Sequence, residues 1–252
     1  MGANREYKNT VFTTLFDDTG KLLELYSALS GVGYSPDTVI EINTLDDVLY
    51  MDYMNDISFT VDDKFVVLIE HQSSISDNMP LRLLLYIARV YEKIIDRKAS
   101  YRQKILRIPT PEFIVLYNGK DEFPSEKLLR LSDAFRESPK SHEKSGSLEL
   151  TVRVLNINPG YNDDILSKSE NLHGYVIFVN KIREGAAGGL TLESAITEAV
   201  KYCEEHHILP QFLKDHASEV RNMLNTEFNM EDAIAVWKEE GFVHEAAAYY
   251  EV

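Results

Sequence analysis

The sequence predicts a mixed α/β core over residues 1–160 and an all-helical C-terminal region over residues 161–252. Up to about residue 160, short apolar stretches with period-two alternation are interleaved with helical patterns. Beyond that point only helical spacing recurs, interrupted by Pro210 and Gly241. A chain of 252 residues has room for one large domain, or for a core with an appended region.

The predicted elements follow one another as helix, three strands, helix and strands. Helical spacing covers 8–29 but breaks near residues 17–20, which leaves either two short helices or one bent helix. Strands are predicted at 38–45, 55–61, 65–72, 112–117 and 148–157, with a helix at about 80–97 and a loop at 137–147. Helical periodicity then covers 171–184, 191–207, 211–224 and 230–240.

The formal net charge is −15, and its distribution is uneven. An acidic total argues against a nucleic-acid coat protein and against a peripheral membrane protein, which usually carry net positive charge. Residues 80–107 nevertheless hold eight basic and two acidic residues. A single cysteine and the polar residues 1–10 predict a cytoplasmic protein without disulfides or a signal peptide, and no membrane partner is expected.

Residues 55–72 predict a hairpin that brings two carboxylates together. A three-residue turn at 62–64 sets Val61 opposite Phe65 and therefore Asp56 opposite Glu70. This register matches apolar with apolar side chains, whereas a two-residue turn would set Asp56 against Ile69. The turn needs one residue in the left-handed region, which Asp adopts more readily than Lys.

The opposed pair Asp56 and Glu70 predicts a metal site. Directly opposed Cβ atoms lie roughly 4.5–5.5 Å apart, where two like charges cost stability unless a cation compensates. A hard divalent ion with oxygen ligands is the natural compensator. A carboxylate pair holding Mg²⁺ suits phosphodiester hydrolysis, in which the ion activates water and stabilises the leaving oxygen. The alternative is a salt-bridged or solvated strand end.

The helix at 80–97 predicts a basic stripe. On a wheel of 100° per residue one side holds Arg82, Tyr86, Arg89, Lys93 and Arg97. The packing face is expected on the other side, at Leu84, Ala88, Tyr91 and Ile95. Cations around a tyrosine ring suit a phosphate backbone with a base to stack, so Arg82, Tyr86, Arg89 and Lys93 are candidate DNA-binding residues. A solvated helix face is the alternative.

These residues give the chain a resemblance to the PD-(D/E)XK nuclease superfamily. More closely, it resembles the Rpn family of recombination-promoting nucleases, also described as YhgA-like or transposase-like proteins. The resemblance covers about residues 8–160. Asn55-Asp56-Ile57 resembles the PD element, and Ile69-Glu70-His71-Gln72-Ser73 resembles the Glu-x-Gln form of the (D/E)XK element. Further similar stretches are Val11–Phe16, the cluster of Arg82, Tyr86, Arg89 and Tyr91, and Glu112–Gly119.

The resemblance implies a restriction-endonuclease-like αβββαβ core and metal-dependent DNA cleavage. It implies Asp56 and Glu70 as ligands of Mg²⁺ or Mn²⁺, the main-chain carbonyl of His71 as a third ligand, and Glu24 as the first-helix acid that some relatives carry. Gln72 stands where many members have Lys. Because Gln donates only neutral hydrogen bonds, it stabilises transition-state charge less well than Lys.

The sequence therefore favours a Mg²⁺-dependent endodeoxyribonuclease with Asp56, Glu70 and Gln72 as catalytic residues and DNA as substrate. Two alternatives stay open. Gln72 and the acidic total favour a weak or inactive nuclease fold that serves as a DNA- or protein-binding module. The C-terminal helices would alternatively form the contact of a homo-oligomer.

Overall fold

A computed structural model describes residues 11–43, 56–62, 65–74, 76–136, 147–216, 219–221 and 224. In chain order the elements are α1 (Val11–Leu15), α2 (Thr19–Ser30), β1 (Ile40–Ile42), β2 (Asp56–Val61), β3 (Phe65–Gln72), α3 (Met79–Ile94), β4 (Thr110–Tyr117), β5 (Glu126–Arg130), β6 (Thr151–Asn156), α4 (Asp163–Leu166), α5 (Glu170–Ala187) and α6 (Leu192–Glu205). The predicted mixed α/β class is confirmed. The predicted helix at 230–240 and the predicted loop, except for residue 147, lie outside the described residues.

The chain divides into two compact units. The larger unit is Leu15–Val176 and contains the sheet. In the smaller unit the structure describes residues 11–14, 177–216, 219–221 and 224. Every described strand ends by Asn156, as the predicted change to helix near residue 160 requires. The assignment of 1–160 and 161–252 to separate domains stays a prediction.

The break in the first helical stretch has a local cause. Asp18 caps α2, because its Oδ1 accepts the Lys21 N–H at 2.9 Å. Gly31 ends α2 in the left-handed conformation, with φ of 71°, and its N–H donates to the Ser27 carbonyl. The sequence 8–29 therefore gives two short helices rather than one bent helix.

Within the described residues six strands form one sheet, in the order β1-β2-β3-β4-β6-β5. β1, β2 and β3 are antiparallel neighbours, β4 and β6 run parallel to β3, and β5 is an antiparallel edge strand. A parallel neighbour requires a crossover, which α3 provides between β3 and β4. The sequence did not reveal β5, because four of its five residues are exposed and only Leu129 is buried.

α3 covers one face of the sheet with residues at helical spacing, among them Leu83, Tyr86, Ile87 and Val90. They pack against residues of β4 and β6, including Phe113, Val115, Val152 and Val154. The predicted packing face was wrong, since Ala88 is exposed while Leu84 and Tyr91 are only half-buried. The physical reason is Tyr86, whose large ring gains more from burial than small Ala88 does.

α2 lies against the other face of the sheet. Its buried residues are Leu22, Leu25, Tyr26, Ala28 and Leu29. The Tyr26 ring meets the Phe59 ring of β2 edge-on, with centroids 5.9 Å apart. Within the larger unit the sheet is therefore sandwiched between helices, which leaves ligand sites to the sheet ends and edges.

The smaller unit is helical in its described part. Thr191 caps α6, because its hydroxyl oxygen accepts the Ser194 N–H at 3.3 Å. The buried stripe of α6 includes Ile196, Ala199 and Cys203, as the sequence predicts. Burial raises the pKa of the Cys203 thiol to about 11, so it is protonated at neutral pH. No helix in the described ranges has the length and hydropathy needed to cross a bilayer.

Gly119 lies just after β4, where its main chain comes very close to the main chain at the end of β3. The Asn118 N–H donates to the Gln72 carbonyl at 2.9 Å, which extends the parallel ladder by one bond. A Cβ atom at Gly119 would overlap the main-chain carbonyl oxygen of Ser73 and the ring of Tyr117. Only glycine fits at this position.

We predict that Gly119→Ala lowers the free energy of unfolding by about 1–3 kcal/mol, because main chain and a buried ring must shift. Urea unfolding measures the loss. Gly33→Ala is the matched control, since a Cβ there meets nothing within 4 Å. The control is expected to change stability by less than ~0.5 kcal/mol. Equal effects of the two substitutions would contradict the close approach.

Candidate active site

The β2–β3 hairpin has the predicted register. Val61 pairs with Phe65, Ile57 with Ile69, and Asp56 with Glu70. Asp62, the first turn residue, has φ of 48°, which confirms that Asp takes a left-handed position in this turn. Its carboxylate accepts the Val39 N–H at 3.0 Å and so ties the turn to the chain before β1. The main chain thus places the two acidic residues of the predicted site directly opposite each other.

Both faces of the hairpin are sheltered from solvent. The apolar residues Ile57, Phe59, Val61, Val67 and Ile69 are buried on one face. By alternation Ser58 and Thr60 lie on the other face. Ser58 is 0% exposed and Thr60 is 4% exposed. Charges placed beside these positions are poorly screened by water, so their interactions are strong.

Gln72 lies on the sheet face that is covered by α3. In the parallel register Glu70 pairs with Val115 and Gln72 with Tyr117, and both β4 residues pack against α3. Gln72 Nε2 donates to the sulfur of Met79, the first residue of α3, at 3.2 Å. The structure therefore brings the end of β3 and the start of α3 together.

Arg82 joins Gln72 at the same point. Its Nη1 donates to the Met79 sulfur at 3.3 Å, and its side chain is half-buried. Two donors that are ten positions apart in the chain thus converge on one thioether. Arg82 keeps a full positive charge beside Gln72, which is neutral. The arrangement combines a neutral donor and a cation next to the hairpin that carries the acidic pair.

His71 faces the opposite side of the sheet. Its Nε2 lies 3.3 Å from the Tyr175 hydroxyl oxygen, and the two rings meet edge-on with centroids 5.2 Å apart. The His71 ring is thus packed against Tyr175. Sequence reasoning did not find Tyr175, because no local pattern links residues 104 positions apart. The main-chain carbonyl of His71 as a metal ligand stays a prediction.

Glu24 has a structural role that the sequence did not predict. One carboxylate oxygen accepts the Ser169 hydroxyl at 2.8 Å and the Asn171 N–H at 3.1 Å. The other accepts the Asn171 side-chain amide at 2.8 Å. Both oxygens thus hold donors at the start of α5, where N–H groups lack intrahelical partners. Glu24 is a tertiary cap of α5. Its predicted role as a first-helix acid stays a prediction.

We predict that Glu24→Ala lowers the free energy of unfolding by about 2–3 kcal/mol, because part-buried donors lose a charged acceptor. Glu24→Gln should cost less than ~1 kcal/mol, since the Asn171 amide can turn to match it. Chemical denaturation measures both, with the exposed Glu198→Ala as control. A drop in Mn²⁺ affinity of Glu24→Gln protein without loss of stability would contradict the capping role.

The residues of the predicted basic stripe differ in their exposure to solvent. Tyr86 is 3% exposed and belongs to the core between α3 and the sheet, so its ring cannot stack on a base. That part of the prediction is wrong, and the reason is that a wheel does not tell a buried tyrosine from an exposed one. Arg89 and Lys93 are exposed on the surface of α3. Their contact with DNA stays a prediction.

A separate pocket lies at the opposite end of the parallel strands. It has a volume of about 530 Å³ and includes Tyr26, Tyr34, Glu112 and Arg153 in its lining. Burial raises the pKa of Tyr26, with added effects from Tyr34 and Glu112, so the phenol stays neutral. Arg153 is held by the Leu29 carbonyl and by a Glu126 carboxylate. The described lining of this pocket includes none of the predicted site residues.

The fold and hairpin define the larger unit as a mixed α/β sandwich with two acidic residues opposed on neighbouring strands. A family model described as "Putative transposase, YhgA-like" matches residues 44–207, which is more than half of the chain. The chain belongs to this family, and the predicted family resemblance is confirmed. No curated protein and no solved structure matches the chain.

Proposed function

We propose that the protein is a Mg²⁺- or Mn²⁺-dependent endodeoxyribonuclease. The observation that carries the proposal is the hairpin register, which sets Asp56 opposite Glu70 with Gln72 two residues further along β3. Membership of a transposase-like family supports DNA as the substrate. Glu70, its partner Asp56 and the neutral donor Gln72 lie near the end of β3, and Arg82 lies in the first turn of α3.

The element order supports a restriction-endonuclease-like core. α2, β1, β2, β3, α3 and β4 follow one another in the sequence helix, three strands, helix, strand. The first three strands are antiparallel neighbours, and β4 lies parallel beside β3. β5 and β6 extend the sheet beyond this core. The candidate ligands then come from the two central antiparallel strands of the core.

The donor set fits a hard divalent cation. Directly opposed like charges repel each other, and Mg²⁺ and Mn²⁺ prefer oxygen ligands. Asp56, Glu70 and the main-chain carbonyl of His71 would hold the ion. When bound, the ion supplies an activated water and stabilises the leaving oxygen of the phosphodiester. The acidic pair alone would repel the phosphate, so a cation is needed before DNA can approach.

Gln72 and Arg82 divide the task that a single lysine performs in many members of the superfamily. The Gln72 amide donates a neutral hydrogen bond and orients the attacked phosphate or the water. Arg82 carries the positive charge that offsets the charge building up on the phosphate oxygens. Exposed Arg89 and Lys93 continue the positive charge along α3.

A second candidate is a nuclease fold that binds DNA or protein without cutting. Gln72 in place of Lys favours it, because the amide cannot carry charge in the transition state. The two candidates differ in one measurable respect, which is whether bound DNA is ever cleaved. Self-association through the C-terminal helices stays a prediction that is compatible with either candidate.

We predict that purified full-length protein nicks supercoiled plasmid DNA with Mg²⁺ or Mn²⁺. Asp56→Asn and Glu70→Gln should each lower the rate at least ~100-fold, because each removes a charged ligand. Gel electrophoresis of the plasmid measures the rate. The exposed residues Asp164→Asn and Glu198→Gln are matched controls and should leave it unchanged. Nicking that survives both site substitutions removes these residues from the mechanism, and binding without nicking favours the second candidate.

A second prediction concerns stability without metal. In EDTA, Asp56→Asn should raise the free energy of unfolding by about 0.5–1 kcal/mol, because directly opposed like charges are relieved. Excess Mn²⁺ should stabilise the wild type through binding to the folded state and leave the variant unchanged. Urea unfolding under both conditions measures this. A loss of stability of the variant in EDTA would indicate that Asp56 is salt-bridged, which is the alternative for this strand end.

A further inference from the structure

The connection between α3 and β4 contains a dense cluster of cations. We name residues 97–107 the basic crossover; its sequence is RKASYRQKILR. Its basic residues are Arg97, Lys98, Arg102, Lys104 and Arg107, and it contains no acidic residue. All five are exposed. The basic crossover is therefore a concentrated positive surface on a chain whose formal net charge is −15.

The cations of the basic crossover have no carboxylate partner among the described residues. Ion pairs elsewhere include Lys127–Asp77, Arg153–Glu126, Lys181–Glu184 and Lys201–Glu205. Within the described part of the chain, none of the five cations of the basic crossover forms an ion pair. Unneutralised charges concentrated in eleven residues attract a polyanion more strongly than paired charges do.

Tyr101 gives this surface an exposed aromatic ring. It is 80% exposed at the end of a 3₁₀ turn, Ala99–Tyr101, and Ile105, four residues further along the chain, is 72% exposed. Tyr101 therefore offers the open ring face that Tyr86 lacks. Aromatic and aliphatic groups among cations suit bases as well as phosphates.

Local hydrogen bonds hold the basic crossover in place. The Ser100 hydroxyl donates to the Arg97 carbonyl at 2.7 Å, and the Arg102 N–H donates to the Ala99 carbonyl at 3.2 Å. At the far end the Tyr91 hydroxyl of α3 donates to the Pro109 carbonyl at 2.7 Å. A partner therefore meets residues 97–102 already held by local hydrogen bonds and loses less affinity to the ordering of this part of the chain.

We infer that the basic crossover binds single-stranded DNA, with its cations on the phosphates and an unpaired base stacked on Tyr101. DNA as the polyanion rests on the proposed function. Single strands are favoured because bases within a duplex already stack on each other and cannot reach an external ring. A segment without any acidic residue fits a uniformly negative polymer better than a protein surface, which carries charges of both signs.

Binding of full-length protein to labelled oligothymidylate and to a hairpin duplex of equal length is measured by fluorescence anisotropy in EDTA. The triple variant Arg102→Gln, Lys104→Gln and Arg107→Gln should bind oligothymidylate at least ~10-fold more weakly. Its salt slope should fall by about 2, because each phosphate that is no longer neutralised lowers the slope by ~0.7. The matched control is Lys168→Gln, Lys214→Gln and Arg221→Gln, which removes the same charge from exposed positions elsewhere and should change affinity less than about two-fold.

Tyr101→Ala should weaken binding at least ~5-fold, whereas Tyr101→Phe should keep the stacking ring and the affinity.

Equal weakening by the two triple variants would overturn the inference, as would tighter binding of the duplex or no effect of Tyr101→Ala. Equally tight binding of polyglutamate or of phosphatidylglycerol vesicles would overturn it too and assign the surface to an acidic protein or a membrane. The assay involves no cleavage, so a failure of plasmid nicking leaves it intact. If the variant with Arg102→Gln, Lys104→Gln and Arg107→Gln binds oligothymidylate as tightly as the wild type, the inference about the basic crossover is wrong and the proposed nuclease function is unaffected.

Discussion

The pairing of β2 with β3 in a single register is the constraint on which the rest of the larger unit depends. Side chains alternate with a period of two, so a slip of one residue would move the apolar set of β2 off the α2 face. The same slip would separate Asp56 from Glu70. β3 also pairs in parallel with β4. The position of β3 therefore determines which residues of β4 face α3. Core packing and the acidic pair are therefore fixed by the same interaction.

This coupling explains which parts of the structure can be predicted from the sequence. The bounds of β3 and its register follow from local alternation and a short turn, and the structure agrees with both. The cap formed by Glu24 and the contact of His71 with Tyr175 join residues more than one hundred positions apart. Periodicity contains no information about such pairs, because they exist only once the chain has folded.

Burial of amphipathic side chains limits the prediction in a different way. Tyr86 has a polar hydroxyl and a large ring, and the wheel places it among the cations of α3. Its ring is buried in the core, which rotates the packing face of α3 away from the predicted side. β5 is missed for the complementary reason, since an edge strand with mostly exposed residues leaves no alternation to detect. The charge distribution, by contrast, is visible in the sequence, because the basic segment within 80–107 stands out against the acidic total.

The start of α3 brings donors from two elements to one atom. The side-chain amide of Gln72 donates to the sulfur of Met79, a weak neutral acceptor in a part-buried position. Arg82 reaches the same sulfur from α3 and is half-buried. A neutral donor from the strand and a cation from the helix therefore meet at this point. In the proposed nuclease the charge beside the phosphate would then depend on α3 as well as on the hairpin. The stability of the α3 packing would limit catalysis even though Tyr86 and its neighbours contact no substrate.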